Sequence, residues 1–491
     1  MLRPRHRLQL LRLRATRWWR HVARRSPPVR VLKRCAEALV AGFVLLVIVS
    51  GRVLPGSDAY GLSYLLRPLW DRDRYRPLVR AGVNRAFKHG GKPVQWWYGA
   101  QQSCATLTER WPKRTTPSTA DRDRTAAAKP AKVFDTFLFG TNLDMLYVRL
   151  VELAPVVDKF ILFESTTSFA GRTKPLIFAE NRHRFAAFAD KIIAVGYDES
   201  AYAAGNDLSK RTKAIASLFA RNGCAPVGFF EMEGTSPRET AHLRRRQKRS
   251  DKSLGWCREV AARAALSHEL RALASAGDVV LHSDVDEIPR RAVVAKLREC
   301  APALPPALGL LLQPYRYSFE FRLENPSIGQ FVWVVPGLGS HAHVAPSPLT
   351  KISKHTVLKQ AHGFLAGAGW HCSWCFRSAG EVVWKLNNYN HWDRKHSVGA
   401  WGSTSVAALE ARMCDGSDPF GMLPEAFTFA DLVAEARGPA RVFSVADLPQ
   451  AVVEAAASTA TEREDDGGPF FDVSFLVPGR RCRRDEENEG S

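Results

Sequence analysis

Three carboxylates fall within four positions of the stretch Val279–Pro289, VVLHSDVDEIP: Asp284, Asp286 and Glu287. In extended backbone, side chains two apart share a face, so Asp284 and Asp286 can point the same way. Like charges that close repel, and a cation between them removes the repulsion. Hard oxygen ligands suit magnesium or manganese, ions that commonly serve to hold phosphates. The alternative is a solvated acidic turn capping a helix over Arg290–Arg298. An EF-hand is excluded, because the third Asp/Asn, the Gly and the distant Glu of that loop are missing.

Such a turn needs elements to hold it. Val279, Val280 and Leu281 form an apolar run that reads as a buried strand, with the acids at its carboxyl end. That is where ligands bind in parallel sheets. Upstream, Val133–Phe139 and Val156–Glu164 read as strands, with Leu143–Leu153 between them carrying apolar residues at helical spacing. A polar loop follows at Ser165–Lys174, then a helix over Asn181–Phe188 and a strand over Lys191–Val195. Alternating strands and helices predict a parallel α/β sheet. Residues 224–255 break the pattern and read as an exposed insertion, whose basic run Arg244–Arg249 (RRRQKR) is the expected first site of tryptic nicking. A helix over Trp256–Ala274 then leads into the acidic strand, and further strands are expected at Gly309–Gln313 and Phe331–Val335 before the segment Gly369–Phe376, GWHCSWCF.

The 491 residues can bury a sizeable core. A net charge of +21 suggests nucleic acid at first sight, but twelve of the basic residues lie in residues 1–34, which hold no acid. The basicity is a property of the tail, and no nucleic-acid partner is expected. Residues 35–54 contain the uncharged run Ala38–Gly51, just long enough to cross a bilayer if its flanking charges snorkel. Basic residues before it keep that side cytosolic. The expected organisation is a basic cytosolic tail (1–34), a transmembrane signal anchor (35–54), a stem (55–131), a catalytic domain (132–450) and a largely disordered tail (451–491). A short anchor fits a thin early-secretory membrane, so the expectation is a single-pass type II protein of the Golgi membrane with a lumenal body. Eight of the nine cysteines lie in that body and can form disulfides there.

Several motifs together carry a family resemblance. Asp135–Leu150 (DTFLFGTNLDMLYVRL), Phe163–Arg182 (FESTTSFAGRTKPLIFAENR), the helix bearing Trp256, Arg258, Glu259 and Arg263, the segment His282–Pro289, the Gly-Trp-His block at Gly369 and the element Lys385–His391 resemble glycosyltransferase family seventeen. The resemblance spans roughly residues 133–418. It departs from the family pattern at Asn142 and Tyr147, where members often carry acids, and in the insertion around Arg244–Arg249. It implies an inverting N-acetylglucosaminyltransferase on a nucleotide-sugar-binding α/β fold, a GT-A-like, Rossmann-type mixed sheet. The implied donor is a UDP-sugar, UDP-N-acetylglucosamine. The implied acceptor is a mannose-containing glycan on a glycoprotein or oligosaccharide, such as the N-glycan core, in β-1,4 linkage.

By analogy with metal-dependent transferases, Asp286 would bind manganese or magnesium directly. Asp284 would act as a further ligand, or reach the donor ribose or a metal-bound water. His371 is the candidate third ligand or pyrophosphate contact, set against the reading of a hydrogen-bonded core histidine beside Trp370 and Trp374. Arg172, Lys174, Arg258 and Glu259 are candidate donor contacts, and Arg149 could also meet phosphate. Inversion requires a general base at the acceptor hydroxyl, with Glu287, His391, Asp393 and Glu320 as candidates. Trp370, Trp374 and Trp392 could stack on sugar rings or fill the core. Cys372 and Cys375 are expected in a disulfide, to each other or elsewhere, since one such pair is too few for structural zinc. A metal-dependent nucleotide-sugar hydrolase would use the same carboxylates, and a non-enzymatic membrane protein would depend on the basic tail alone. No Walker loop and no Gly-x-Ser-x-Gly elbow is present.

Overall fold

The computed structural model describes residues 94–96, 103–105, 130–204, 208–226, 229, 236–242, 254–275, 277–301, 304, 308–323, 331–336, 363–389, 405–419, 439–458 and 471–482. Its strands are β1 (Val94–Trp96), β2 (Val133–Leu138), β3 (Lys159–Ser165), β4 (Ile192–Tyr197), β5 (Val279–Asp284), β6 (Glu287–Pro289), β7 (Leu308–Leu311), β8 (Gln313–Arg316), β9 (Phe321–Arg322), β10 (Phe331–Pro336), β11 (Gly363–Ala366), β12 (Gly369–Ser373) and β13 (Ala440–Arg441). Its main helices are α1 (Leu143–Leu153), α2 (Lys210–Arg221), α3 (Leu254–Arg271), α4 (Arg291–Glu299), α5 (Ala379–Asn388), α6 (Val406–Asp415) and α7 (Gln450–Ala457).

Among the described residues the larger sheet runs β1-β11-β7-β10-β5-β2-β3-β4. Every neighbouring pair is parallel except the two that involve β10, which is antiparallel to both β5 and β7. The protein is therefore a mixed α/β fold with a mostly parallel central sheet. A parallel sheet must be covered on both faces, and the period-two alternation of its strands divides the core in two. Val133, Phe137, Phe160, Leu162, Val279 and Leu281 face one cluster with α1 and α4. Phe134, Leu138, Ile161, Phe163 and Val280 face the other, with α2 and α3. The faces of α3 are lined by Ala261, Ala262, Ala264 and Ala265, all buried, so the helix seats closely on the sheet and on α2 without a narrow apolar stripe.

The ladder β2–β5 pairs Val133 with Val279 and Leu138 with Asp284. The carboxyl ends of β2, β3, β4 and β5 thus lie along one edge, and their loops form one rim. A second sheet, β13-β9-β8-β12-β6, begins where the acidic turn ends. Its β6 pairs with β12, Glu287 opposite His371 and Pro289 opposite Gly369. Two motifs some eighty residues apart in the chain are therefore adjacent strands.

Several expectations change. The helix expected over 181–188 is a four-residue turn, Ile177–Glu180, followed by the 3-10 segment Arg182–Phe188. Glu164 accepts the amides of Phe178 and Ala179 and so caps that turn from inside the sheet. The insertion is not wholly exposed: residues 236–239 are, but Cys224 and Phe229 are core residues. The tail is not largely disordered over its described parts. α7 packs on α1, Phe471 stacks on Tyr147 at 4.9 Å, and Cys482 is bonded to Cys414. Further disulfides join Cys104 to Cys300 and Cys372 to Cys375. Among the described residues no helix is long and apolar enough to cross a membrane. The expected anchor (35–54), most of the expected stem and the run Arg244–Arg249 lie outside the described residues.

Candidate functional site

The acidic turn is held by two arginines that reach it from opposite faces of the sheet. From α1, fully buried Arg149 spends all five of its N–H donors. Nε and Nη2 pair with the two carboxylate oxygens of Asp135 on β2, at 2.7 and 2.6 Å. Nη2 also donates to Ser283 Oγ at 2.7 Å, and Nη1 to the carbonyls of Asp284 and Glu287 at 2.9 and 2.6 Å. Arg149 therefore cannot meet a donor phosphate, contrary to one of its sequence readings. It fixes the backbone of the turn. A charged residue three positions from Leu146 and four from Leu153, on the buried face of a helix, was the signal for this role.

From α3, Arg263 holds the side chains. Its Nη2 donates to Asp284 Oδ1 and Glu259 Oε1, both at 2.8 Å, and its Nη1 to His282 Nε2 at 3.0 Å. Burial works against this guanidinium's charge, but the Asp284 and Glu259 carboxylates outweigh it and hold the group protonated, above its usual range. On the other side of the His282 ring, Thr136 Oγ1 donates to Leu281 O, so it must accept from His282 Nδ1–H at 2.8 Å. Each donor in this chain has one acceptor, which sets His282 as the neutral Nδ1–H form. Burial, with the Arg263 charge beside it, pushes its pKa down to about 3.

The two central acids then part company. Asp284 turns toward Arg263 and is 34% exposed at its side chain. Asp286 turns toward the second sheet, where His371 Nε2 is 3.9 Å from its Oδ1 and Lys385 Nζ of α5 is 3.2 Å from its Oδ2. Its carbonyl accepts the amide of Cys372. Lys385 also lies over the rings of Trp374 and Phe376, at 5.1 and 5.3 Å. Trp374 has φ of 61°, as does Tyr317, whose amide donates to Ser373 O at the end of the neighbouring strand. This is the left-handed region that non-glycine residues rarely occupy, and such strain clusters at functional sites. Glu287 Oε2 accepts the amide of Asp284 at 2.9 Å, closing the turn on itself.

Around the rim, Arg258 Nη2 pairs with Glu199 after β4 at 3.1 Å. Its Nη1 is buried, makes no hydrogen bond among the described residues, and lies 3.4 Å from where a Cβ on Gly171 would stand. Arg172 is exposed on the same loop. Lys174 turns back to Pro175 O at 3.1 Å, and burial lowers its pKa. The loop touches α5 through Ala170 N and Asn388 O, so the loop after β3, the α3 helix and α5 border the acidic turn together.

The structure thus brings together Asp284, Asp286, Glu287, His371, Arg258 and Glu259, with Arg172 on the rim. Glu259 meets Arg263 and acts as its support. His391, Asp393 and Trp392 lie outside the described residues. Glu320 sits beneath the tail, accepting Gly479 N at 3.0 Å beside Arg441, which removes it as a general base. Trp370 is stacked by Arg290 and donates Nε1–H to Asp447 O, a packing role that leaves no face for sugar. Among the described residues, the one group of three potential ligand atoms within mutual reach is Cys104, Glu299 and Cys300, and its two cysteines are consumed in a disulfide. Residues that sequence reasoning missed are Asp135 and Thr136, hidden in an apolar strand, and Asn142, which caps α1 through Met145 N and donates to Cys375 O.

No curated protein and no solved structure matches this chain. A sequence model of glycosyltransferase family 17 matches residues 94–215 and 236–460, a span that contains β1, both sheets, the acidic turn and every rim residue named above. With that match over more than two thirds of its length, the chain belongs to glycosyltransferase family 17.

Proposed function

We propose that this glycosyltransferase transfers N-acetylglucosamine, with inversion, from UDP-N-acetylglucosamine to a mannose-containing glycan of the N-glycan core type, in β-1,4 linkage. The observation that carries the reading is the placement of Asp286. It stands at the carboxyl end of the parallel strands, on a turn locked from both faces, with its carboxylate directed at His371 and Lys385.

Two ligand atoms each about 2.1 Å from one ion can stand no more than about 4.2 Å apart. Asp286 Oδ1 and His371 Nε2, at 3.9 Å, fit that limit. Asp286 and His371 would hold manganese or magnesium, whose charge, when bound, offsets that of the departing diphosphate. Asp284, engaged by Arg263 yet partly exposed, is assigned to the donor ribose or to a metal-bound water. Arg258, through its unpartnered Nη1, and Arg172 supply positive charge to the diphosphate. Lys385 adds a second cation at Asp286. Glu287 Oε2 closes the turn, and Glu287, His391 and Asp393 are the candidates for the base that takes the acceptor proton. We place the body in the Golgi lumen behind an N-terminal anchor, a reading the three disulfides support. Digestion of the body by protease outside sealed microsomes would overturn that placement.

The test of function is a donor screen on the purified chain with a mannose-terminated glycan acceptor, repeated for Asp286→Asn. Transfer should be restricted to UDP-N-acetylglucosamine, be lost on chelation and return with manganese or magnesium. Asp286→Asn should lower the rate by about 10²–10³, with a drop in the melting midpoint confined to the lost Lys385 pair and unfolding still cooperative. A fully active, metal-indifferent variant refutes the metal assignment, and sugar release without acceptor identifies a hydrolase instead.

A further inference from the structure

Six of the eight cysteines downstream of the apolar N-terminal run are joined in three disulfides, and the remaining two, Cys224 and Cys257, are both buried. They belong to the same core cluster, at 2% and 6% exposure. Cys224 lies just beyond the end of α2, where its amide closes onto Phe219 O, and Cys257 lies in the first turn of α3. The two helices pack on each other, and both thiols lie in the buried cluster that they share. Nothing in the transfer mechanism uses either sulfur.

We propose that Cys224 and Cys257 are a cross-linking site, closed in the mature protein as a fourth disulfide that ties the amino end of α3 to the carboxyl end of α2. The bond would close residues 225–256, which contain the basic run Arg244–Arg249, into a covalent loop. It would also anchor the turn of α3 that carries Arg258, the rim arginine paired with Glu199. The oxidant is a small disulfide of the glutathione class. The Cys257 sulfur attacks it, and one thiolate leaves. Cys224 then gives up its proton and its sulfur attacks Cys257, displacing the second thiolate. Two protein thiols are oxidised to one disulfide, and the oxidant's disulfide is reduced to two thiols. Cys224, aided by Arg258 and opposed by burial, holds the Cys257 thiol below its usual range and suits it to attack first. The exchange proceeds as α3 seats on α2, and the finished bond is then shielded from reductant by the core around it.

The test is peptide mapping of the full chain made through a secretory route. Free thiols are blocked with an alkylating reagent in the absence of reductant, and the chain is then unfolded and cut with trypsin. The expected product is the peptide Asn222–Arg238 joined to Ser253–Arg258, lighter by two hydrogens than the sum of the two and separating on reduction. The proposal is overturned if both peptides carry the alkyl group in a digest where Cys104–Cys300 and Cys414–Cys482 are linked. It is overturned equally if either cysteine is found joined to another partner. Neither outcome depends on which sugar the enzyme transfers.

Discussion

Arg149→Lys tests whether the acidic turn is positioned by its clamp or merely tolerates it. The substitution keeps the charge but replaces five donors in a planar fork with three on a point ammonium. At least two of the five acceptors now served, among Asp135, Ser283 and the carbonyls of Asp284 and Glu287, must lose their partner inside the core. A buried acceptor left unsatisfied costs roughly 1–3 kcal/mol, so the expected loss is about 2–6 kcal/mol. At roughly 2 °C per kcal/mol for a domain of this size, the melting midpoint should fall by about 4–12 °C. Transfer should fall as well, by about 10²-fold, because a shift of the order of 1 Å in a reacting geometry has that effect. The double variant Asp135→Leu, Arg149→Met removes the Asp135 carboxylate along with the guanidinium. It still strips Ser283 Oγ and the carbonyls of Asp284 and Glu287 of that donor, so its midpoint should stay below wild type and its transfer should remain low. The reasoning is refuted if Arg149→Lys melts within error of wild type and transfers at the full rate, or if the double variant regains wild-type activity and stability.

Gly369→Ala should be far more disruptive than its size suggests: a Cβ there would lie 2.2 Å from Ile288 O and 2.6 Å from Pro289 Cα, forcing β12 away from β6. Overpacking of this kind costs about 1–3 kcal/mol, and both calorimetry and transfer should report it, whereas Gly380→Ala, with 3.7 Å to its nearest contact, should leave both intact. His282 makes the fold acid-sensitive, since it is neutral in the folded chain with a pKa of about 3 against 6.5 unfolded. Its contribution is complete above about 6.5 and is lost as pH falls from there toward 3, at up to about 1.4 kcal/mol per pH unit. Unfolding midpoints measured from pH 7 to 4 should fall more steeply for wild type than for His282→Asn, and parallel slopes would show that His282 is not the group responsible.

The sequence alone determined the framework. Apolar strand runs alternating with helical segments point to a mostly parallel sheet covered on both faces, and the order of β2, α1, β3, β4, α3 and β5 follows from that local patterning. The acidic strand end was legible for the same reason, since Asp284, Asp286 and Glu287 are neighbours in the chain. Tertiary structure decided what those acids do. Side chains two apart share a face only while the backbone stays extended, and here the turn between β5 and β6 sends Asp284 to Arg263 and Asp286 to His371 and Lys385. The sequence placed Arg149 on a helix face but not opposite Asp135, because which strand lies under a helix depends on the strand order of the finished sheet. The same holds for Gly369 against Ile288 and for the tail seated on α1. These are contacts between segments far apart in the chain, chosen by packing and by the need to pair every buried charge, and no local pattern records them.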